Sequence, residues 1–350
     1  MSTLDIGLAT NASGSLRART TGAFRTRRDA RRYWMLLILF IGVGLLATLG
    51  LILYKNPIPV DSPSFIPVVK RRLTAVVAMF IAALCHSFST VAFQSVTSNR
   101  IITPSLLGYE SLYSFIQTSV LFFFGAATLV KFTGTGAFFL QVALMIALSL
   151  ILFGWLLSGK YGNLHLMLLI GIIIGAGLNA VSGLMRRVLS PSEFDLLQAR
   201  LIGSVNNADA EYFPIVIPLV LVTVLCLYLL SRKLNVLSLG KDVSTAFGVN
   251  YQANIILVLV LIAVLMSVST TLVGPMTFFG FLVALLSYQA APTYDHRYVL
   301  PMAFAIGFCM LTTAYLLLYH VFRAQTVVSV IIELFGGIAF LIVILRKRSL

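Results

Sequence analysis

The sequence predicts an all-α polytopic membrane protein of about ten transmembrane helices, with both termini cytoplasmic and two inverted-repeat-like halves. Three observations carry that expectation. The 350 residues are 59% hydrophobic and only 10% charged, whereas a soluble domain keeps about 25% charged residues. The mean hydropathy is +0.99. Finally, apolar runs long enough to cross about 30 Å of hydrocarbon recur along the chain, separated by polar or Gly- and Pro-bearing breaks.

Ten such runs occur, at residues 33–54, 73–93, 105–130, 137–158, 164–185, 214–231, 253–272, 275–291, 299–320 and 327–345. The first is too long for a cleaved signal peptide and reads as a retained helix. The third is overlong and the eighth short, and the Val273-Gly274-Pro275 break is able to join the seventh and eighth into one kinked unit. Residues 1–32, rich in Ser, Thr, Ala and Arg with little to bury, read as a disordered Arg-rich cytoplasmic tail. Residues 33–350 form the transmembrane domain, and outside the bilayer only 186–213 is long enough to hold folded structure.

Orientation follows from Lys and Arg in the connections, since cytoplasmic loops carry the excess. With both termini inside, inner segments hold 16 of these residues and outer ones 9. The outer Lys70-Arg71-Arg72 cluster is the exception. The net charge of +14 is therefore topology charge: seven arginines precede residue 33 and most of the rest lie between runs or in the terminal Arg-Lys-Arg. It points to membrane lipid and not to nucleic acid. Cys85, Cys226 and Cys309 all fall inside apolar runs and read as packing residues.

Ionisable groups within the bilayer are costly and rare. Here they are Glu110, Glu333 and His86, with His320 and Arg323 near the outer end of the ninth run. The histidines read as neutral side chains hydrogen-bonded between helices, and Glu333 as a packed or protonated carboxyl. An ion-driven secondary carrier of small organic solutes usually places several acids near mid-bilayer, so their scarcity disfavours that alternative. Paired carboxylates, clustered His and Cys, a nucleophile elbow and a G-x-x-x-x-G-K-(S/T) phosphate loop are all absent from the sequence. The chain is expected to be no enzyme and to hold no cofactor or metal.

Two stretches carry mechanism. The loop 232–250 between the sixth and seventh runs contains a segment opened by Gly240 and closed by Gly248, with Asp242 in its first turn. Val243, Ala246 and Phe247 share an i, i+3, i+4 stripe, as in a brief amphipathic helix. Such a stripe packs on the protein's own helices or docks in a cleft of a cytoplasmic partner, and the pattern alone does not separate the two. The second stretch is a pair of proline breaks. Thr103-Pro104-Ser105 follows the second run and Gly274-Pro275 the seventh, in helices of opposite direction. Corresponding interruptions in inverted halves point to a substrate pathway at the repeat interface.

The loop resembles the L-G-acid-x-x-A-x-x-L-G signature of FecCD-type permeases, the membrane subunits of ABC importers for ferric siderophores, haem and cobalamin. Leu239, Gly240, Phe247 (for Leu) and Gly248 match, while Lys241 replaces the acid, with Asp242 beside it, and Ser244 replaces the Ala. Further landmarks follow in order. Arg71-Arg72-Leu73 resembles R-L-P-R without its proline. Asn99, Pro104 and Leu106-Leu107-Gly108 resemble N-P-L-A-x-P-x-L-L-G. Gly274-Pro275 with Phe278-Phe279-Gly280-Phe281 resembles G-x-I-G-F-(I/V)-G-L, and Asp295-His296-Arg297 with Leu300-Pro301 resembles D-H-R-x-L-L-P. The chain departs from the family where V-P-H becomes Val283-Ala284-Leu285 and E-L-P-x-G becomes Gln325-Thr326-Val327-Val328-Ser329. The form TPSLLGYESLY is similar to the branch serving catecholate-type and other iron chelates, often as two different permeases side by side.

The resemblance implies a type II importer permease in which Leu239, Gly240, Lys241, Asp242, Val243, Ala246, Phe247 and Gly248 seat on a cytoplasmic ABC ATPase subunit that alone uses ATP. It implies a second permease chain, related or identical, and an extracytoplasmic binding protein that delivers the chelate, a ferric siderophore foremost. Pro104, Gly108, Gly274, Pro275 and Gly280 are expected along the pathway. Arg71 and Arg72 either snorkel to headgroups or face the pathway mouth, where they attract acidic groups. Asp295 is expected to cap a helix and Arg297 to anchor at headgroups. The location implied is the cytoplasmic (inner) cell membrane.

Overall fold

The computed structural model describes residues 22–54, 65–131, 134–157, 164–321 and 328–347. Among them the chain forms thirteen α-helices and no strand. In order these are α1 (Arg27–Leu53), α2 (Phe65–Val96), α3 (Tyr109–Lys131), α4 (Thr135–Leu157), α5 (Leu164–Arg186), α6 (Pro191–Leu201), α7 (Phe213–Leu229), α8 (Ser231–Leu237), α9 (Lys241–Ala246), α10 (Tyr251–Val273), α11 (Phe279–Ala290), α12 (His296–Leu316) and α13 (Val328–Lys347). All but α6, α8 and α9 coincide with the ten expected runs. Six stretches are long and apolar enough to cross a membrane by length and composition, and α4, α11 and α13 supply shorter apolar helices.

Helix boundaries follow local chemistry. The Thr26 hydroxyl accepts the Asp29 N–H and Asp29 sits in the positive first turn, so α1 starts at Arg27. Residues 27–32, expected in the tail, are thus its first turns, and Phe24 ahead of them packs on Tyr33 and Tyr298. Residues 1–21 of that tail lie outside the described residues. The second helix begins at Phe65, ahead of the expected 73, which places Lys70, Arg71 and Arg72 inside α2. The overlong third run divides into a 3-10 turn at Pro104–Leu107 and α3. The seventh and eighth runs are two helices, α10 and α11, parted by residues 274–278, and not one kinked unit.

Between 186 and 213 a folded segment forms, as the length suggested. Its helix α6 opens with Pro191 at N1 and a reciprocal capping box between Ser190 and Glu193.

The core is α2 with α10, α12 and α11 packed around it. Helices in lipid gain little from apolar burial and associate through close packing, which small residues permit. The α2 sequence supplies Ala78, Ala82, Ala83, Ser87 and Ala92, all buried. Outside this core lie α1 on α12, and α5 on α3, each with a largely exposed outer face. The α1 helix is fastened at both ends: the Tyr33 hydroxyl donates to the Tyr298 carbonyl at 3.0 Å, and Arg72 reaches the carbonyls of Leu51 and Ile52 at 3.1 and 3.0 Å.

Candidate functional site

The expected amphipathic segment is the six-residue helix α9, and the seven-residue helix α8 precedes it. Gly240 and Gly248 bound it with φ of +94° and +74°, values at which a side chain is strained, so glycine is needed at both turns. Ser244 faces inward, fully buried, its hydroxyl within 3.0 Å of the Val236 carbonyl and 2.7 Å of the Gly240 carbonyl. A hydroxyl at this signature position ties α9 to α8. Outward, Leu239, Val243 and Phe247 are 59%, 39% and 69% exposed, with Ala246, Lys241 and Asp242 exposed beside them. The apolar stripe is therefore turned away from the protein's own helices.

Above the hairpin sits the Asp-His-Arg sequence. Asp295 caps α12 by accepting the Arg297 N–H at 3.1 Å, and the Arg297 guanidinium folds back onto the Asp295 carboxylate at 2.6 Å. Arg297 is thus paired with its cap. Burial works against the Asp295 charge, but bonds from Arg297 and Asn235 outweigh it and hold the carboxyl below the usual range. His296 between them is buried: its Nδ1 meets Asn235 Oδ1 and its Nε2 meets Ser95 Oγ, each at 2.5 Å.

The two proline breaks come together around Glu110. The Thr277 hydroxyl donates to Glu110 Oε2, and Ser105 and the Met276 N–H lie close to the same carboxylate. The Thr277 N–H faces Glu333 from α13. Pro104, Gly108 and Gly274 are buried and Pro275 partly so. The Gly108 backbone passes against Gly175 of α5, and Gly274 against Gly203, where a side chain on either of the latter would strike backbone. The Ser204 N–H donates to the Val273 carbonyl at 2.6 Å and the Ser329 hydroxyl to the Gly203 carbonyl at 2.7 Å, which fixes this crossing. Gly280 lies in α11, buried against Thr90 of α2.

At the other end Arg71 is exposed, whereas one Arg72 nitrogen donates to the carbonyls of Leu51, Ile52 and Tyr54. These are carbonyls that a helix end leaves without partners. Arg71, Arg72, Asn206, Tyr315, Tyr319 and His320 line a cavity of about 460 Å³. His320 is bonded between helices as expected, through Nε2 to the Tyr54 carbonyl at 3.0 Å. His86 differs: it is buried beside Phe279, and neither ring nitrogen meets a hydrogen-bond partner among the described residues. Arg323 lies outside the described residues.

A model of the FecCD transport family matches residues 34–346, from the start of the first apolar run to the end of α13. The chain belongs to the FecCD transport family. This FecCD chain is 67% identical over 333 residues, 95% of its length and 94% of the relative's, to the petrobactin import system permease protein FatC of Bacillus anthracis. It is 25% identical over 279 residues, 79% of its length and 81% of the relative's, to the petrobactin import system permease protein FatD of the same organism. A solved structure of a metal-chelate type ABC transporter in an inward-facing conformation shares the fold, with a TM-score of 0.72 at 19% identity over 89% of this chain and 99% of that one. The FecCD chain is accordingly a multi-pass membrane protein of an ABC permease family.

Sequence reasoning missed α8 and the contact of Asn235 with His296 in this FecCD chain. The buried positions Ser231, Leu234 and Leu237 recur every three residues and signal a short helix. Nothing in spacing could have paired residues 61 apart.

Proposed function

We propose that this chain is the membrane-spanning permease subunit of an ATP-binding-cassette importer that carries a ferric siderophore across the cytoplasmic membrane. A separate cytoplasmic subunit hydrolyses ATP, and an extracytoplasmic binding protein delivers the chelate. Both termini face the cytoplasm, in keeping with the distribution of Lys and Arg. The carrying observation is the outward apolar stripe of α9, held between two left-handed glycines on a short, braced hairpin. A docking helix gains from apolar contact with a groove, and its stiff mounting passes a push inward.

The relative's name supports petrobactin as the chelate. That a second protein with the same printed role, FatD, is only 25% identical to this chain supports a related partner over an identical one. The exposed outer face of α5, with Leu166, Leu169, Ile173 and Leu184, suits that contact. Pro104, Gly108, Gly274 and Pro275 stand where the two broken segments meet, and the pathway runs beside them. Arg71 faces the binding protein.

The test is uptake of iron-55-labelled ferric petrobactin into proteoliposomes holding this chain, its permease partner, the ATPase and the binding protein. ATP-dependent uptake is expected. Uptake without the ATPase, driven by an ion gradient, would refute the reading in favour of a secondary carrier.

A further inference from the structure

We propose that Asn235 is the joint through which the coupling hairpin moves the bundle, a positioning role in transport that rests on the importer reading above. Asn235 lies on α8, whose Ser231, Leu234 and Leu237 are buried and whose far end leads directly into α9. Its amide has one possible orientation. The carboxylate of Asp295 can only accept, so Nδ2 faces it at 3.1 Å; the His296 N–H can only donate, so Oδ1 faces it at 2.9 Å. The same Oδ1 then accepts a hydrogen bond from His296 Nδ1–H at 2.5 Å. The imidazole is thereby set with its hydrogen on Nδ1, and Nε2 meets the Ser95 hydroxyl, whose single hydrogen is shared with the Val91 carbonyl at 2.7 Å.

One side chain of the hairpin thus grips the first turn of α12 and, through His296, the end of α2. A neighbouring contact reaches the turn that leads to the first proline break. The Ser98 hydroxyl donates to the Ser238 carbonyl at 3.2 Å, and Gln94 Nε2 to the Arg100 carbonyl at 2.7 Å. Ser98 is the one non-glycine residue with positive φ among the described residues, at +48°. Such backbone is costly and persists where its surroundings hold it. Here one holding contact is the hairpin itself.

The kind of contact matters. Apolar surfaces such as Leu234 and Leu237 attract without direction and can slide. Hydrogen bonds fail once their angle or length departs from a narrow range, so a polar joint transmits displacement stiffly. Beside it lies a cavity of about 620 Å³, bordered by Gln94, Ser98, Arg100, Asn235 and Tyr288. Arg100 lies over the Tyr288 ring there, 4.5 Å from its centre. The joint therefore has space to move on one side and firm contacts on the other.

The test uses the whole complex in proteoliposomes, with chelate transported per ATP hydrolysed as the readout. Asn235→Leu keeps the branching and the number of side-chain heavy atoms and removes all three bonds. It should leave the complex assembled and hydrolysing ATP, while iron-55-labelled ferric petrobactin carried per ATP falls at least tenfold. An unchanged ratio overturns the proposal. If that variant fails to assemble, Asn235→Asp decides. It keeps an acceptor for His296 but sets a carboxylate against that of Asp295, and it should lower the ratio. A ratio equal to that of the unaltered complex overturns the proposal. Absence of ATP-dependent uptake by the unaltered complex instead refutes the importer reading, so the two failures are distinguishable.

Discussion

Glu110 accepts the hydroxyl hydrogen of Thr277 across 167 residues of chain. One residue follows the first proline break and the other the second, so two interruptions far apart in sequence are held as one unit. Irregular backbone at membrane depth survives only when protein or a water-filled cavity surrounds it, and here each break is a wall for the other.

Thr277→Val removes this hydroxyl with almost no change in shape. A buried acceptor without its donor costs about 1 to 3 kcal/mol, and the purified permease should lose that much stability in thermal unfolding. Glu110→Gln, which still accepts from Thr277, should lose less. Equal stability of Thr277→Val and the unaltered protein would show that the pair does not hold the breaks.

Phe247→Asp places a charge on the outward stripe of α9. Because Phe247 is already exposed, insertion and yield should be normal while ATP-dependent uptake is abolished. Retained uptake in vesicles would count against docking at this stripe.

The Gly203 and Gly274 crossing should tolerate no side chain. Gly274→Ala adds the strain of a φ near +81° to a collision with Gly203, together worth at least about 2 kcal/mol. Yield and thermal stability should drop sharply. Gly42→Ala, where nothing lies within 4 Å, is the control and should behave as the parent.

Arg71 and Arg72, adjacent in sequence, should separate in their effects. Arg71→Gln should weaken docking of the binding protein at low salt, with the difference fading as ionic strength rises. Arg72→Gln should mainly lower thermal stability, by about 1 to 3 kcal/mol, since it frees carbonyls at the end of α1. Docking that is indifferent to Arg71→Gln at low salt would return that residue to lipid anchoring.

Much of this was legible from one sequence because the bilayer imposes a length on every crossing. Runs such as 253–272 and 299–320 found their helices, α10 and α12, with small errors at the ends. The errors have local causes: the Thr26 cap draws α1 back to Arg27, and α2 continues outward past Arg71 and Arg72 to Phe65. The glycines that bound α9 were readable because left-handed turns restrict the residue type. Which face of α9 looks outward was not, since a six-residue stripe fits either a partner or the parent bundle. The surroundings of Gly280 and His86 were hidden for a related reason: that Gly280 packs under Thr90 depends on a neighbour nearly 200 positions away.

The double fastening of α1 has a mechanical corollary. With Tyr33 locked to Tyr298 below and Arg72 clasping its upper end, α1 behaves as a tie rod across the height of the α2 and α12 frame. A frame braced in this way can tilt but cannot shear. A conformational probe on α1 should therefore report movement in step with α2 and α12.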